Sequence, residues 1–161
     1  FIVCFDQASK IYIKLFSAYH QPTNVLGSFL KFTYLENPGI VFGLRVNSIF
    51  YYIITFLSIC IICYIIFFII ELYNSKGNHN LALVSFSLIL GGAIGNVIDR
   101  LFVIFNLFNY HGVIDFIDIG IGDFRFYIFN IADMAVTIGI ILFIYYNYIQ
   151  NNDMNNYAEK I

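Results

Sequence analysis

Two acids, Asp115 and Asp133, are the residues of this chain best placed to do chemistry. They lie in VIDFIDIGIGDFRFYIFNIADMAVTIG, Val113 to Gly139, where a short polar link runs into an apolar, helix-forming segment. Asp133 is the only charged residue between Phe126 and Gln150, and an ionisable group inside such a run costs about 2.5 to 3.5 kcal/mol on insertion scales. A second carboxylate brought alongside can share one proton with it, so that one acid stays neutral while the other acts as base on a water. That is aspartic-protease chemistry. In a helix starting at Phe126, Asp133 lies about 10 Å from the end at 1.5 Å per residue, within reach of water. The same residues also admit a purely structural reading, with Asp115 a solvated loop acid and Asp133 paired to an arginine or a backbone amide.

The length, 161 residues, is that of one domain. Hydrophobic residues make up 60% of the chain and charged ones 11%, against about 25% charged in soluble domains, so the chain belongs in a bilayer. A formal charge of -2 leaves no basic surplus, and nucleic acid is not an expected partner. Cys4, Cys60 and Cys63 all sit in apolar stretches, which argues against a disulfide framework. The C-x-x-C of Cys60 and Cys63 reads as two small apolar residues on a lipid-embedded helix, because no second pair or neighbouring histidine completes a metal set. His20, His79 and His111 are scattered singly, and neither a metal nor another cofactor is expected.

The elements that must position the acids follow from the hydropathy pattern. Residues 1–16 read as the end of a first helix that begins upstream, with Asp6, Lys10 and Lys14 marking its exit from the membrane. Residues 17–48 hold Pro22, Pro38, Gly27, Gly39 and Gly43 with β-prone runs such as Phe29 to Tyr34, and read as an extracytoplasmic β segment on the bilayer. Residues 49–70 and 81–98 are uncharged and read as the second and third helices, each near the span of roughly 20 residues that a bilayer needs. Gly91 and Gly95 give the third a flat face for close packing. Residues 99–125 read as an extracytoplasmic link, 126–150 as the fourth helix and 151–161 as a frayed polar tail. The expected fold is therefore a mainly α membrane protein, a four-transmembrane-helix bundle with its first helix truncated and a small extracytoplasmic β-platform. Charge counting conflicts with the positive-inside expectation and does not orient it.

GGAIGNVIDR (91–100), VIDF (113–116), FNIAD (129–133), DQASK (6–10) and NPG followed by Phe42 resemble, in order and in spacing against the spans, the motif set of lipoprotein signal peptidase, the type II signal peptidase family of bacterial inner membranes. The resemblance implies a multi-pass enzyme of the cell inner membrane with its site towards the extracytoplasmic side. Such an enzyme cleaves the signal peptide from prolipoproteins just before a diacylglyceryl-modified cysteine. By motif, Asp115 and Asp133 would be the catalytic pair. Asn37, Gly39, Asn96, Arg100 and Asn130 would line the site, holding substrate backbone or supporting the pair. Asp99 would fix Arg100, while Asp6 and Lys10 would brace the end of the first helix. The partners implied are prolipoproteins with a lipid-modified cysteine and membrane lipids, the enzyme acting as a monomer.

Three features depart from the family pattern or compete with it. Ile40 and Val41 stand where the family has small residues, and Pro38 lacks a backbone donor. The stretch from Asp99 to Asp115 is longer than usual, so Leu101 to Tyr110 reads as an interfacial segment enlarged into a lid over the substrate groove. GIGD (120–123) spells a tag of presenilin-like intramembrane proteases, yet it falls in a turn-rich link, and Asp123 reads as a loop acid. The rival function is a small transporter or ion-conducting protein with Asp133 as proton or cation site. Internal symmetry between halves would support it, and the sequence has none.

Overall fold

A computed structural model describes residues 1–38 and 48–158. The helices are α1 (Ile2–Phe16), α2 (Ser48–Asn74), α3 (Asn80–Ile104) and α4 (Ile131–Ala158). Among the described residues three helical stretches are long and apolar enough to cross a membrane, Tyr51–Asn74, Asn80–Ile104 and Ile131–Asn152. α3 sits at the centre, with α1, α2 and α4 packed around it. α2 carries no charge before Glu71 and leaves Phe56, Ile61, Tyr64 and Phe67 exposed on its flank, as a lipid-facing helix does. The small-residue face of α3 is used: a Cβ at Gly92 would collide with the carbonyl oxygen of Ala132 on α4 and lie 2.8 Å from Val136 Cγ2. Backbones of α3 and α4 therefore meet directly, which gains dispersion contacts where no hydrophobic driving force separates helix from lipid.

Four antiparallel strands, β1 (Pro22–Leu26), β2 (Leu30–Asn37), β3 (Val113–Ile121) and β4 (Phe124–Arg125), form one sheet in the order β1-β2-β3-β4. The two outer pairings are local hairpins whose turns contain Gly27 and Gly122, at φ +54 and +57, where a side chain would be strained. The central pairing joins distant parts of the chain. Leu30, Lys31 and Phe32 lie opposite Ile119, Asp118 and Ile117, then β2 carries a bulge. Beyond it Leu35, Glu36 and Asn37 face Asp115, Ile114 and Val113, a register shifted by one residue. Ile13, Tyr34, Tyr110, Ile114, Phe116 and Ile117 form the apolar cluster that seats the sheet on the tip of α1.

Several boundaries differ from those read in the sequence. The sheet draws half its strands from the 99–125 link, because VIDFIDIGI is rich in β-branched residues and pairs with β2. α3 continues through Asp99 and Arg100 to Ile104, taking in the first residues of the expected interfacial segment. After it the chain turns through Asn106, Phe108 and Asn109, all at positive φ. α4 starts at Ile131, not Phe126, because Phe129 hydrogen-bonds to Phe116 and Ile117 on β3 and so is held extended. It also runs on to Ala158, through most of the expected frayed tail, since no glycine or proline after Gly139 stops propagation from a formed span. Gly39, Ile40 and Val41 lie outside the described residues.

Candidate active site

α4 begins with a reciprocal cap. Asn130 Oδ1 accepts the Asp133 backbone N–H at 2.9 Å, and Asp133 Oδ2 accepts the Asn130 N–H at 3.2 Å. This satisfies two donors at a helix end that has few other partners available. It also places Asp133 in the first turn of α4, not about 10 Å into a span as the sequence suggested, and there the helix dipole favours negative charge.

The Asn130 side chain reaches the other way. Its amide nitrogen donates to Asp115 Oδ1 at 2.7 Å and also lies 3.1 Å from Asn96 Oδ1 and 3.2 Å from the Ile114 carbonyl. Asn130 is fully buried. One residue thus touches both acids, so the two carboxyl groups, far apart along the chain, sit within one asparagine's reach of each other. Asn96 adds a donor to Asp133 Oδ1 at 2.8 Å, and Asn37 adds one to Asp115 Oδ2 at 3.3 Å. Three amides serve two acids. Such donors stabilise carboxylates without bringing a counter-charge.

Asp115 is 6% exposed on β3, and its carboxyl is pushed up to about 7, first by burial and then by the negative charge of Asp133. The hydrogen bonds from Asn37 and Asn130 and the more distant Lys10 charge oppose this without cancelling it. Asp115, beside the partly exposed Asp133, therefore keeps its proton to near neutral pH.

A second group of charges lies beside the first. Lys10 Nζ is 2.8 Å from Asp6 and 3.0 Å from Asp99, with all three side chains fully buried. Gln7, which sequence reasoning did not single out beyond its place in DQASK, donates to Asp99 Oδ1 at 2.9 Å and to the Gly95 carbonyl at 3.1 Å. Asp6 Oδ1 takes the Ala132 N–H at 2.9 Å, another free donor of the α4 end, and Asp99 Oδ2 takes the Ile114 N–H at 3.1 Å. The group therefore ties α1 to α3, α4 and β3 at once. Asp6 and Lys10, expected to brace the end of the first helix, do so from inside the bundle. They are enclosed because each finds a partner.

Two other expectations change. Asp99 binds Lys10 and not Arg100, since neighbouring helical residues point about 100° apart. Arg100 instead donates to Ser58 Oγ on α2 at 3.0 Å. The segment after α3 is anchored on the sheet, its Tyr110 buried in the core cluster and the Asn109 carbonyl accepting from Lys14. Asp123 is exposed in the β3–β4 turn. Asp118, by contrast, is bound by Arg125 at 2.8 Å and by Thr33 at 3.1 Å, which staples the sheet.

Apolar spans, a small sheet and two acids joined through asparagine amides together describe a membrane-embedded aspartic peptidase. The comparisons narrow the class: the sequence pattern of a peptidase family described as signal peptidase (SPase) II matches residues 1–149, and the chain belongs to that family. It is 35% identical over 154 residues to the lipoprotein signal peptidase of Blochmanniella pennsylvanica, covering 94% of this chain and 88% of that one. With the lipoprotein signal peptidase of Burkholderia vietnamiensis it shares 38% over 149 residues, 89% of this chain and 81% of the relative. A solved structure described as a bacterial membrane enzyme, determined by the in meso method at 2.3 Å resolution, superposes with a TM-score of 0.73 at 32% identity. That match covers 94% of this chain and 85% of the other. These likenesses make the chain a multi-pass membrane hydrolase, and they do not favour a transporter.

Proposed function

We propose that this peptidase removes the signal peptide from prolipoproteins by cleaving before a diacylglyceryl-modified cysteine, with Asp115 and Asp133 as the catalytic pair. The observation that carries the reading is Asn130, whose side chain holds Asp115 at 2.7 Å while its backbone N–H holds Asp133 at 3.2 Å. A water between the two carboxyl groups loses a proton to Asp133, which lies at the positive end of α4. The resulting hydroxide attacks the scissile carbonyl, and Asp115, still protonated near neutral pH, donates to the carbonyl oxygen or the leaving amine. No covalent intermediate forms. Asn37 and Asn96 keep the acids aligned, and Arg100 anchors α3 against α2.

Substrate enters laterally from the lipid, its acyl chains lying among the helices, and the enzyme works as a monomer that needs no nucleic acid. The site faces the extracytoplasmic side of the bacterial inner membrane, where the sheet covers it. The test is cleavage of a diacylglyceryl-modified prolipoprotein in detergent, with the unmodified precursor alongside. Asp115→Asn and Asp133→Asn should each abolish cleavage while leaving the helical spectrum unchanged, and full activity in either variant would remove the mechanism. Equal cleavage of the unmodified precursor would remove the lipid requirement alone.

A further inference from the structure

Lys14 lies one turn beyond Lys10 on the same face of α1, but it serves a different partner. Its Nζ is 2.5 Å from Glu36 Oε1 on β2, 3.2 Å from the Tyr34 hydroxyl and 2.9 Å from the Asn109 carbonyl, and it sits 4.5 Å from the centre of the Tyr110 ring. Glu36 Oε1 also accepts from the Tyr34 hydroxyl, and Oε2 takes the His111 N–H at 2.6 Å. The Glu36 carboxylate is 5% exposed. Burial alone would raise its pKa, yet the donors from Lys14, Tyr34 and His111 outweigh burial and hold it below the usual range.

The place of this cluster matters because of the bulge. Beyond Phe32 the register between β2 and β3 no longer follows from the earlier pairs, and the next rungs, Leu35 to Asp115 and Asn37 to Val113, have to be set separately. A slip of one residue there would turn Asn37 to the opposite face. Glu36 sits between those rungs and grips His111, two residues before β3 begins. On the far side of the strand, Asn37 reaches diagonally to Asp115 at 3.3 Å. Gly112 packs so tightly on the Asn37 backbone that a Cβ there would lie 2.8 Å from the Asn37 nitrogen and closer still to its carbonyl.

We infer that Glu36, clamped by Lys14, is a positioning residue for the reaction: it sets the last rungs of the β2–β3 pairing so that Asn37 presents its amide to Asp115. It touches neither substrate nor the reacting atoms and acts through Asn37. The inference rests on the proposed role of Asp115.

The experiment measures kcat and KM for cleavage of a diacylglyceryl-modified prolipoprotein by purified full-length variants. Glu36→Ala should lower kcat about tenfold with KM within about twofold, as loss of alignment at the reacting centre does. Glu36→Gln, which still offers an acceptor to His111, should recover to within about threefold of wild type. On the residual activity of Asn37→Ala, adding Glu36→Ala should cost less than about twofold, because the two act in series. Unchanged kcat in Glu36→Ala, or full additivity with Asn37→Ala, would overturn the inference. If Glu36→Ala does not accumulate in membranes, Lys14→Met replaces it, with kcat expected to fall about threefold at unchanged KM; an unchanged kcat there overturns the inference equally. An active Asp115→Asn enzyme would instead defeat the proposed function, whereas an inactive one beside a fully active Glu36→Ala enzyme would defeat only this inference.

Discussion

Two groups of acids lie side by side in this protein, and they are treated in opposite ways. Asp6 and Asp99 share Lys10, at 2.8 and 3.0 Å, and every acceptor around them is met by an amide or an ammonium. Asp115 and Asp133 have no cation against them among the described residues, only Asn37, Asn96 and Asn130. Under the proposed mechanism, the difference separates structure from chemistry. A carboxylate paired with lysine locks helices together, while one held by neutral amides beside another acid keeps a proton that it can give away. Asn96 is the seam between the two, since its oxygen accepts from Lys10 at 3.1 Å and its nitrogen donates to Asp133 at 2.8 Å.

The comparison breaks most visibly at the acids themselves. Asp115→Asn and Asp133→Asn should each lower the cleavage rate by about 10²- to 10⁴-fold or more, whereas Asp99→Asn, which keeps its shape and several bonds, should be read first in thermal stability. Comparable rates from Asp99→Asn and Asp115→Asn would show that the division is false. Next comes Lys10→Met, which leaves two buried acids without their shared cation and should cost about 3 to 5 kcal/mol in denaturation measured in detergent. A loss under 1 kcal/mol would mean that the triad is not what joins α1 to the bundle.

Asn96→Ala sharpens the boundary. It removes a donor from Asp133 and an acceptor from Lys10, and kcat should fall about 10- to 100-fold with a smaller loss of stability. The mildest probe is pH. Asp115 titrates near 7, above its ordinary value of 3.8, so the native state holds a proton through that interval that the unfolded chain has lost. Stability contributed by that proton is therefore present at low pH and declines as pH rises towards 7. The shared proton leaves above 7, and kcat/KM should fall about tenfold per unit there. A flat alkaline profile would argue that Asp115 carries no proton in the reaction.

Much of the pattern was legible in advance. The uncharged runs around residues 49–70 and 81–98 marked two spans, the small face at Gly91 and Gly95 marked α3 as a close-packing helix, and VIDF and FNIAD pointed to the acids. Boundaries were less legible. The cap between Asn130 and Asp133 is visible as an N-x-x-D spacing, but apolar residues from Phe126 onwards look equally helical, and only the pairing of Phe129 with β3 keeps them extended. Lys14 with Glu36, and Gln7 with Asp99, left no local signal because each pair joins distant segments.

Composition and periodicity by themselves determined that this chain lives in a bilayer, because transfer energies depend on residue type and local run length. Which acid keeps its proton was decided only in three dimensions. Asp6, Asp99, Asp115 and Asp133 carry the same side chain, and their roles diverge through what folding packs against each: an ammonium in one place, amides and another acid in the other. Those contacts cross from α1 to α3 and from β3 to α4, and electrostatic interaction falls with distance through space, whatever the distance along the polymer.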